Sequence, residues 1–196
     1  MAKIHPNPLA NTCSSSSSSS SFSMEKETFT VWMKSLVCHG NGCTVFNSNG
    51  QVAFRVDNYQ QRCSTKAFLM DSTGNILFSL NRKKLGFGWW EGFKWSDSNV
   101  RAEKACFRMR RDLRKGVCCV VSDDCYCNYK IEGFERKSSL KIRDFEGRVM
   151  AEATQKQSSQ GVNLGDDVLR LTVEAHVDHS LVMALVTLYG LINNKL

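Results

Sequence analysis

The chain lacks most of the short motifs that announce a specific chemistry. Its 196 residues contain only two prolines and four histidines, and they hold no Cys-x-x-Cys pair, no Gly-x-Ser-x-Gly elbow and no Walker A loop. The last two absences argue against a P-loop nucleotide hydrolase and against an α/β-hydrolase. Without a Cys-x-x-Cys pair, a structural zinc site lacks its usual starting pair of ligands. We therefore predict no catalytic residue, no cofactor and no metal site.

Secretion signals are also missing. No Asn-x-Ser/Thr sequon occurs, and residues 1–23 lack the apolar run of a signal peptide. The nine cysteines are odd in number, which favours reduced, buried thiols over a disulfide framework. An intracellular protein is expected, in the cytoplasm, with the nucleus and the periphery of a membrane as alternatives.

A long hydrophobic run is absent, but one uncharged stretch of twelve residues lies near the C-terminus, from Leu181 to Ile192. Its bulky side chains go all the way round a helix, so the helix must be enclosed. Twelve residues rise about 18 Å, less than the roughly 20 residues that a bilayer requires. We predict a core helix rather than a transmembrane one, with Asp178 or Ser180 as its N-cap. Its core residues are Leu181, Val182, Met183, Leu185, Val186, Leu188, Tyr189, Leu191 and Ile192.

Most of the remaining chain has the pattern of short strands, and the predicted strands include Ala105–Arg110, Val117–Val121 and Val168–Val173. Three segments, 44–54, 68–78 and 140–150, place an Asx-x-x-Gly sequence between two apolar halves. The Asn or Asp side chain can cap a type I turn, and the glycine can take the positive φ that follows. Each segment is thus a predicted hairpin with a bulge, and together they indicate an antiparallel meander. A β-barrel or closed sheet around the apolar helix is the predicted architecture.

Composition divides the chain into two parts. Residues 1–27 include an unbroken serine tract, 14–21, which is too polar to bury, so this part is predicted to be a disordered extension. Residues 28–196 are predicted to form a single domain, which we expect to be monomeric.

Positive charge is concentrated in one window. Between Arg82 and Lys115 there are eleven Lys or Arg residues against four carboxylates, so this window carries the whole net charge of +7. Such a patch attracts phospholipid headgroups, nucleic acid or acidic protein, or it serves solubility alone. The tryptophans within the window are either interfacial anchors, base-stacking platforms or core residues. The predicted anion-binding residues are Arg82, Lys83, Lys84, Arg108, Arg110, Arg111, Arg114 and Lys115.

Several stretches together resemble the plant LURP-one-related family. They are Thr30–Lys34 with the hairpin that follows, the turn 71–74 leading into 80–85, the Trp-rich segment 90–98, and Leu171–Asp178 directly before the apolar helix. The Trp-rich segment departs from the family pattern, since Trp95-Ser96 stands where Gly-Asp is typical. The resemblance extends over residues 28–193.

This resemblance implies a tubby C-terminal-like fold, a closed antiparallel barrel of twelve strands around a central hydrophobic C-terminal helix. The superfamily includes tubby proteins, which are membrane-tethered transcription regulators that bind phosphoinositides, and phospholipid scramblases. Some plant members are linked to pathogen defence. Function does not transfer by fold alone, so the expected role is a non-enzymatic module that binds anionic phospholipid headgroups. A nucleic-acid-associated regulator and a scramblase-like lipid handler are the alternatives.

Overall fold

The structure, a computed structural model, describes residues 23–33, 42–57, 66–83, 88–96, 100–112, 117–121, 129–134 and 139–193. Within them, twelve β-strands are followed by one α-helix, α1, which runs from His179 to Ile192. The strands are β1 (Glu27–Trp32), β2 (Gly42–Phe46), β3 (Val52–Asp57), β4 (Lys66–Asp71), β5 (Ile76–Arg82), β6 (Trp90–Lys94), β7 (Phe107–Asp112), β8 (Val117–Val121), β9 (Tyr129–Phe134), β10 (Ser139–Arg143), β11 (Val149–Gln155) and β12 (Val168–Val173).

The twelve strands form a closed antiparallel barrel. Each strand pairs with its neighbours in the chain, and β1 pairs with β12 to complete the ring. Closure removes the exposed edges that an open sheet would present. The predicted barrel of twelve strands around a C-terminal helix is confirmed.

Alternation of side chains assigns the two faces of the wall. In β10, Leu140 and Ile142 point inwards and are buried, while Lys141 between them points outwards. Lys141 lies opposite Glu152 of β11, and its ammonium is 3.1 Å from the carboxylate. The period of two thus separates a packed interior from a charged exterior.

The three Asx-x-x-Gly hairpins are confirmed. Asp71 Oδ1 accepts hydrogen bonds from the backbone N–H groups of Thr73 and Asn75, both at 2.9 Å. The turns that begin at Asn47 and Asp144 are built in the same way. The glycines of the three turns, Gly50, Gly74 and Gly147, have φ of 76°, 94° and 83°. A register shift next to each turn marks the bulge. Local turn chemistry therefore sets these three connections.

The helix begins at one of the two predicted caps. Asp178 Oδ1 accepts from the backbone N–H groups of Ser180, at 2.8 Å, and Leu181, at 3.3 Å, so Asp178 is the N-cap. The Ser180 hydroxyl donates to the same oxygen. At the other end, the Asn193 side chain donates to the Tyr189 carbonyl at 2.7 Å. Among the described residues, no helix is long and apolar enough to cross a membrane.

The middle of α1 is enclosed by the barrel, as predicted. Five of the nine predicted core residues are almost fully buried, namely Val182, Met183, Leu185, Val186 and Leu188. The other four, Leu181, Tyr189, Leu191 and Ile192, are half-buried and lie at the two ends of the helix. The central turns of the helix are therefore buried on every face, and the burial decreases towards both ends of the helix.

The wall approaches the helix most closely through a glycine that the sequence analysis did not single out. A Cβ atom on Gly133 of β9 would overlap the hydroxyl of Tyr189. Ala184 and Gly190 of the helix are both buried. A missing side chain on the wall thus makes room for a large one on the helix.

The described chain starts before the predicted domain boundary at residue 28. The backbone N–H of His176 donates to the Ser23 carbonyl at 2.9 Å, and Lys26 forms an ion pair with Glu174 at 2.6 Å. Residues 23–26 thus contact the segment between β12 and α1. The serine tract of the predicted extension lies outside the described residues.

We expect Gly92→Ala to destabilise the barrel. Gly92 is buried in β6, and a Cβ there would overlap the ring of Phe107, which is only 1% exposed. Overpacking of this kind costs about 1–3 kcal/mol. Chemical denaturation should show the loss, and Phe107→Leu, which removes the clashing ring atoms, should recover part of it in the double variant. Simple additivity of the two substitutions would contradict this packing account.

The hairpin carboxylates should make stability depend on pH in acid. Burial raises the pKa of Asp71, but hydrogen bonds from Thr73 and Asn75 outweigh it and lower the pKa overall. The stabilisation is therefore present above the unfolded pKa of about 3.9 and is lost as pH falls through the lower folded value.

Asp71→Asn should keep the turn, because Asn47 fills the same position in its own hairpin. The variant should therefore lose less of its melting temperature between pH 6 and pH 2.5 than the wild type, measured by circular dichroism. Parallel curves for the two proteins would show that this carboxylate does not contribute.

Candidate functional site

The structure brings five of the eight predicted basic residues onto two neighbouring segments. Arg82 and Lys83 lie at the end of β5, and Arg108, Arg110 and Arg111 lie on β7. Both strands pair with β6, which runs between them. The other three predicted residues, Lys84, Arg114 and Lys115, lie outside the described residues.

Antiparallel register places the ends of β5 and β7 at the same mouth of the barrel. Arg82 is opposite Trp90 of β6, and Trp90 is opposite Met109 of β7. One residue beyond this row, the backbone N–H of Lys83 donates to the Trp89 carbonyl at 2.9 Å. We call the surface formed by Arg82, Lys83, Trp89, Arg108, Arg110 and Arg111 the basic end.

Strand alternation sets the direction of the arginines. Phe107 and Met109 are 1% and 0% exposed and fill the core. Arg108 and Arg110 alternate with them and therefore share the outer face. Arg111 lies two residues after Met109, so it is on the side of the strand that faces the interior. It is nevertheless exposed, because β7 ends at the next residue. The cations thus occupy both the outer wall and the rim.

Glu91 of β6 offsets part of this charge. Its carboxylate lies 3.3 Å from the Lys83 ammonium and 3.1 Å from the Arg108 guanidinium. One acid shared between two bases leaves a surplus of positive charge. Over the described residues of β7 and of the segments 82–83 and 88–91, five cations face two carboxylates, Glu91 and Asp112. The basic end is therefore positive overall, although less so than the sequence alone indicates.

Trp89 belongs to the site, whereas the neighbouring tryptophan belongs to the core. The Arg110 guanidinium carbon lies 4.7 Å from the centroid of the Trp89 ring, a cation–π contact that orients the arginine without neutralising it. Trp90 is buried. The roles of these two rings were open from the sequence alone. Trp90 begins β6 and is buried, whereas Trp89 precedes the strand and is half-buried.

The histidine and cysteine side chains that the structure describes do not assemble a metal site. Among the described residues, no group of three or more His, Cys, Asp or Glu is placed to hold a metal ion. His176 is exposed, whereas His179 is buried edge-on to Phe29 with its ring centroid 5.3 Å away. Burial also raises the pKa of the Cys43 thiol to about 12, so this thiol stays protonated and unreactive at neutral pH.

A concave surface that the sequence analysis missed lies on the other side of the barrel. It is an open groove of about 1000 Å³ on the outer face of β2, β1, β12 and β11. Its residues come from strands far apart in the chain, which is why no local pattern revealed it. We call it the outer groove.

The closed antiparallel barrel of twelve strands with an enclosed C-terminal helix defines the fold class of this protein. A solved X-ray structure of a protein from Arabidopsis thaliana has the same fold, with a TM-score of 0.62, 16% sequence identity, and coverage of 88% of this chain and 94% of that one. At that level of identity the likeness concerns the fold alone.

The family is defined by sequence. A family model described as LURP-one-related matches residues 27–190. The Arabidopsis thaliana protein LURP-one-related 4 is 46% identical, over 87% of this chain and 80% of its own length, and LURP-one-related 11 is 40% identical, over 98% and 89%. The chain belongs to the LURP-one-related family, and the resemblance noted in its motifs is confirmed.

We expect Glu91→Gln to weaken the fold slightly and in a salt-dependent way. The substitution removes a carboxylate that is shared by two cations, so the free energy of unfolding should fall by about 1 kcal/mol at low salt and by less at high salt. Glu152→Gln is the matched control, because Glu152 has a single cationic partner at a similar distance. Equal losses in the two variants, or a loss independent of salt, would contradict the shared ion pair.

Proposed function

We propose that this protein is a non-enzymatic intracellular module that binds anionic phospholipid headgroups at a membrane surface, with phosphoinositides as the preferred lipids. The observation that carries the proposal is the basic end, where cations from β5 and β7 converge around Trp89 at one mouth of the barrel. A role in plant defence, which membrane recruitment would serve, is a further part of this proposal and depends on the family resemblance alone.

The strength of the attraction can be judged from the charges. Each Lys or Arg near an anionic membrane contributes about 1 kcal/mol. Glu91 and Asp112 offset the equivalent of two of the five described cations. A gain of about 3 kcal/mol corresponds to binding in the millimolar range. A headgroup with several phosphates would bind more tightly, because one molecule could contact several cations at once.

Trp89 gives the basic end a second means of membrane contact. Tryptophan is enriched at membrane–water interfaces because its ring is apolar and its N–H is polar. Trp89 is half-buried and packs beneath Arg110. The ring and the guanidinium would therefore reach a headgroup layer together.

The two alternatives require features that the described residues supply less well. Base-specific readout often places a helix in the major groove, and α1, the helix of the described residues, is enclosed by the barrel. Scramblase-like lipid handling would require apolar surface facing lipid, and the apolar stretch is packed inside the wall. The nucleic-acid alternative remains an outcome of the test below.

Binding should be measured by sedimentation with vesicles of phosphatidylcholine alone, with phosphatidylserine added, and with a phosphatidylinositol bisphosphate added. The double variant Arg82→Gln/Arg110→Gln should bind the phosphoinositide vesicles about 30-fold more weakly, the loss expected from two charges of about 1 kcal/mol each. Glu91→Gln, which adds net positive charge to the same surface, should bind up to about fivefold more tightly.

The matched control removes two charges elsewhere. Lys26 and Lys104 are exposed and lie towards the opposite mouth of the barrel, beside the start of β1 and in the connection from β6 to β7. Lys26→Gln/Lys104→Gln should leave binding unchanged. Equal loss in both double variants would indicate net charge rather than a site, and no binding at moderate salt would refute the proposal. Tighter binding to duplex DNA or RNA than to lipid would favour the nucleic-acid alternative.

A further inference from the structure

The outer groove has a floor built from two cross-strand rows. In the first row, Phe46 of β2 is opposite Thr30 of β1, Thr30 is opposite Arg170 of β12, and Arg170 is opposite Thr154 of β11. In the second row, Trp32 lies between Thr44 and Val168. All of these residues have the outward phase of their strands, because their neighbours Val31, Leu169 and Leu171 fill the core.

Two connections form the walls of this groove. The β2–β3 hairpin, with Asn47 and Gly50, lies at the N-terminal end of β1, and the β11–β12 connection, with Lys156 and Leu164, lies at its C-terminal end. The volume of about 1000 Å³ matches the upper range of small-molecule sites, which run from about 300 to 1000 Å³. The floor is rigid strand, so the shape exists before any ligand binds.

Two cations of the groove lie next to Thr30. The Lys156 ammonium donates to the Thr30 hydroxyl at 2.6 Å, and Arg170 is the cross-strand partner of that same threonine. One of the three ammonium donors is thereby used, and a neutral hydroxyl leaves the charge uncompensated. Within the part of the chain that the structure describes, neither Lys156 nor Arg170 forms an ion pair.

Carboxylates are absent from the described lining of the groove. The acids nearby are engaged elsewhere: Glu152 is 3.1 Å from the Lys141 ammonium, and Asp166 accepts from the Gln155 amide at 3.1 Å. Lys156 is half-buried, and a partly desolvated cation without a counter-charge is unfavourable. An anion that entered the groove would supply the missing charge.

Beside the cations, the groove presents an aromatic surface. Trp32 is 37% exposed, and its ring packs edge-on against Phe46 with the centroids 6.3 Å apart. Leu164 is 51% exposed on the opposite wall. Exposed rings beside unpaired cations are the complement of a molecule that is apolar at one end and anionic at the other.

We infer that the outer groove is a binding site for a small amphipathic anion, a phosphate or carboxylate joined to an aromatic or similarly flat apolar body. Lys156, Arg170 and the Thr30 hydroxyl bind the anionic group, and Trp32 with Phe46 contacts the apolar body. The site is separate from the basic end, because β1 and β7 are six strands apart in either direction round the ring.

Isothermal titration calorimetry with four probes tests the two halves of the site together. The probes are 1-naphthyl phosphate, 1-naphthoate, 1-naphthol and inorganic phosphate. We expect at least one naphthyl anion to bind about tenfold or more tightly than both naphthol and inorganic phosphate, since only the naphthyl anions reach both halves. The stronger of the two anions identifies the acidic group. Absence of binding by both naphthyl anions at millimolar concentration would overturn the inference.

Variants assign the binding to the groove. Arg170→Gln and Lys156→Gln should each lower the affinity for the naphthyl anion by about tenfold or more, which is the loss expected for a charge-assisted hydrogen bond. Trp32→Leu should lower the affinity for the naphthyl anion and leave the affinity for inorganic phosphate unchanged. Arg82→Gln/Arg110→Gln is the control and should bind normally. Loss of binding in that control, with the groove variants unaffected, would place the ligand at the basic end instead and refute the site.

Folding of each variant is checked by its cooperative thermal transition. For any groove variant that melts early, chemical shift changes of the Trp32 indole N–H in the wild-type protein provide the second measurement. A naphthyl anion that shifts this signal at saturation supports the groove, and one that binds without shifting it contradicts the assignment.

Discussion

The enclosure of α1 by the strands is the contact on which the rest of the structure depends. A ring of eight strands can be filled by its own side chains, but larger rings leave a lumen. Here twelve strands close the ring, and the helix fills the lumen with residues such as Val182, Leu185 and Leu188, which are 0% exposed. The dependence is mutual, since these residues would face water without the wall. Even the buried hydroxyl of Thr187 is satisfied within the helix, by the Met183 carbonyl at 2.7 Å.

A filled interior moves recognition to the outside of the barrel. The inward side chains are committed to packing, so charged and aromatic groups that face a partner come from the outward phase of the strands, from their ends or from the connections. The basic end and the outer groove both follow this rule and lie on opposite sides of the ring. They differ in electrostatics, because Glu91 moderates the first, whereas the described lining of the second contains no carboxylate.

Prediction succeeded where the determinants are local. The strands at Val117–Val121 and Val168–Val173 have the predicted bounds, and the hairpins follow from an Asx side chain and a glycine within four residues. The bounds of β7 were less accurate. Ala105 was placed in this strand, but the strand begins at Phe107, because Ala105 is buried by packing without joining the ladder. The Ser158–Gly161 turn was missed, since a serine hydroxyl there accepts the bonds that Asx accepts elsewhere.

The sequence by itself determined the enclosed helix, the hairpins, the closed antiparallel architecture and the family, because burial periodicity, turn geometry and motif order are all written along the chain. Only the tertiary structure decided which charges meet. Glu91 and Arg108 are 17 residues apart, and Lys156 reaches Thr30 across 126 residues, through pairings that depend on the register of the whole ring. Coulomb attraction and hydrogen bonding act over a few ångströms of space. Separation along the chain therefore carries almost no information about them. The basic window was visible in the sequence, but its pairing with Glu91 and the whole outer groove became visible only in the folded barrel.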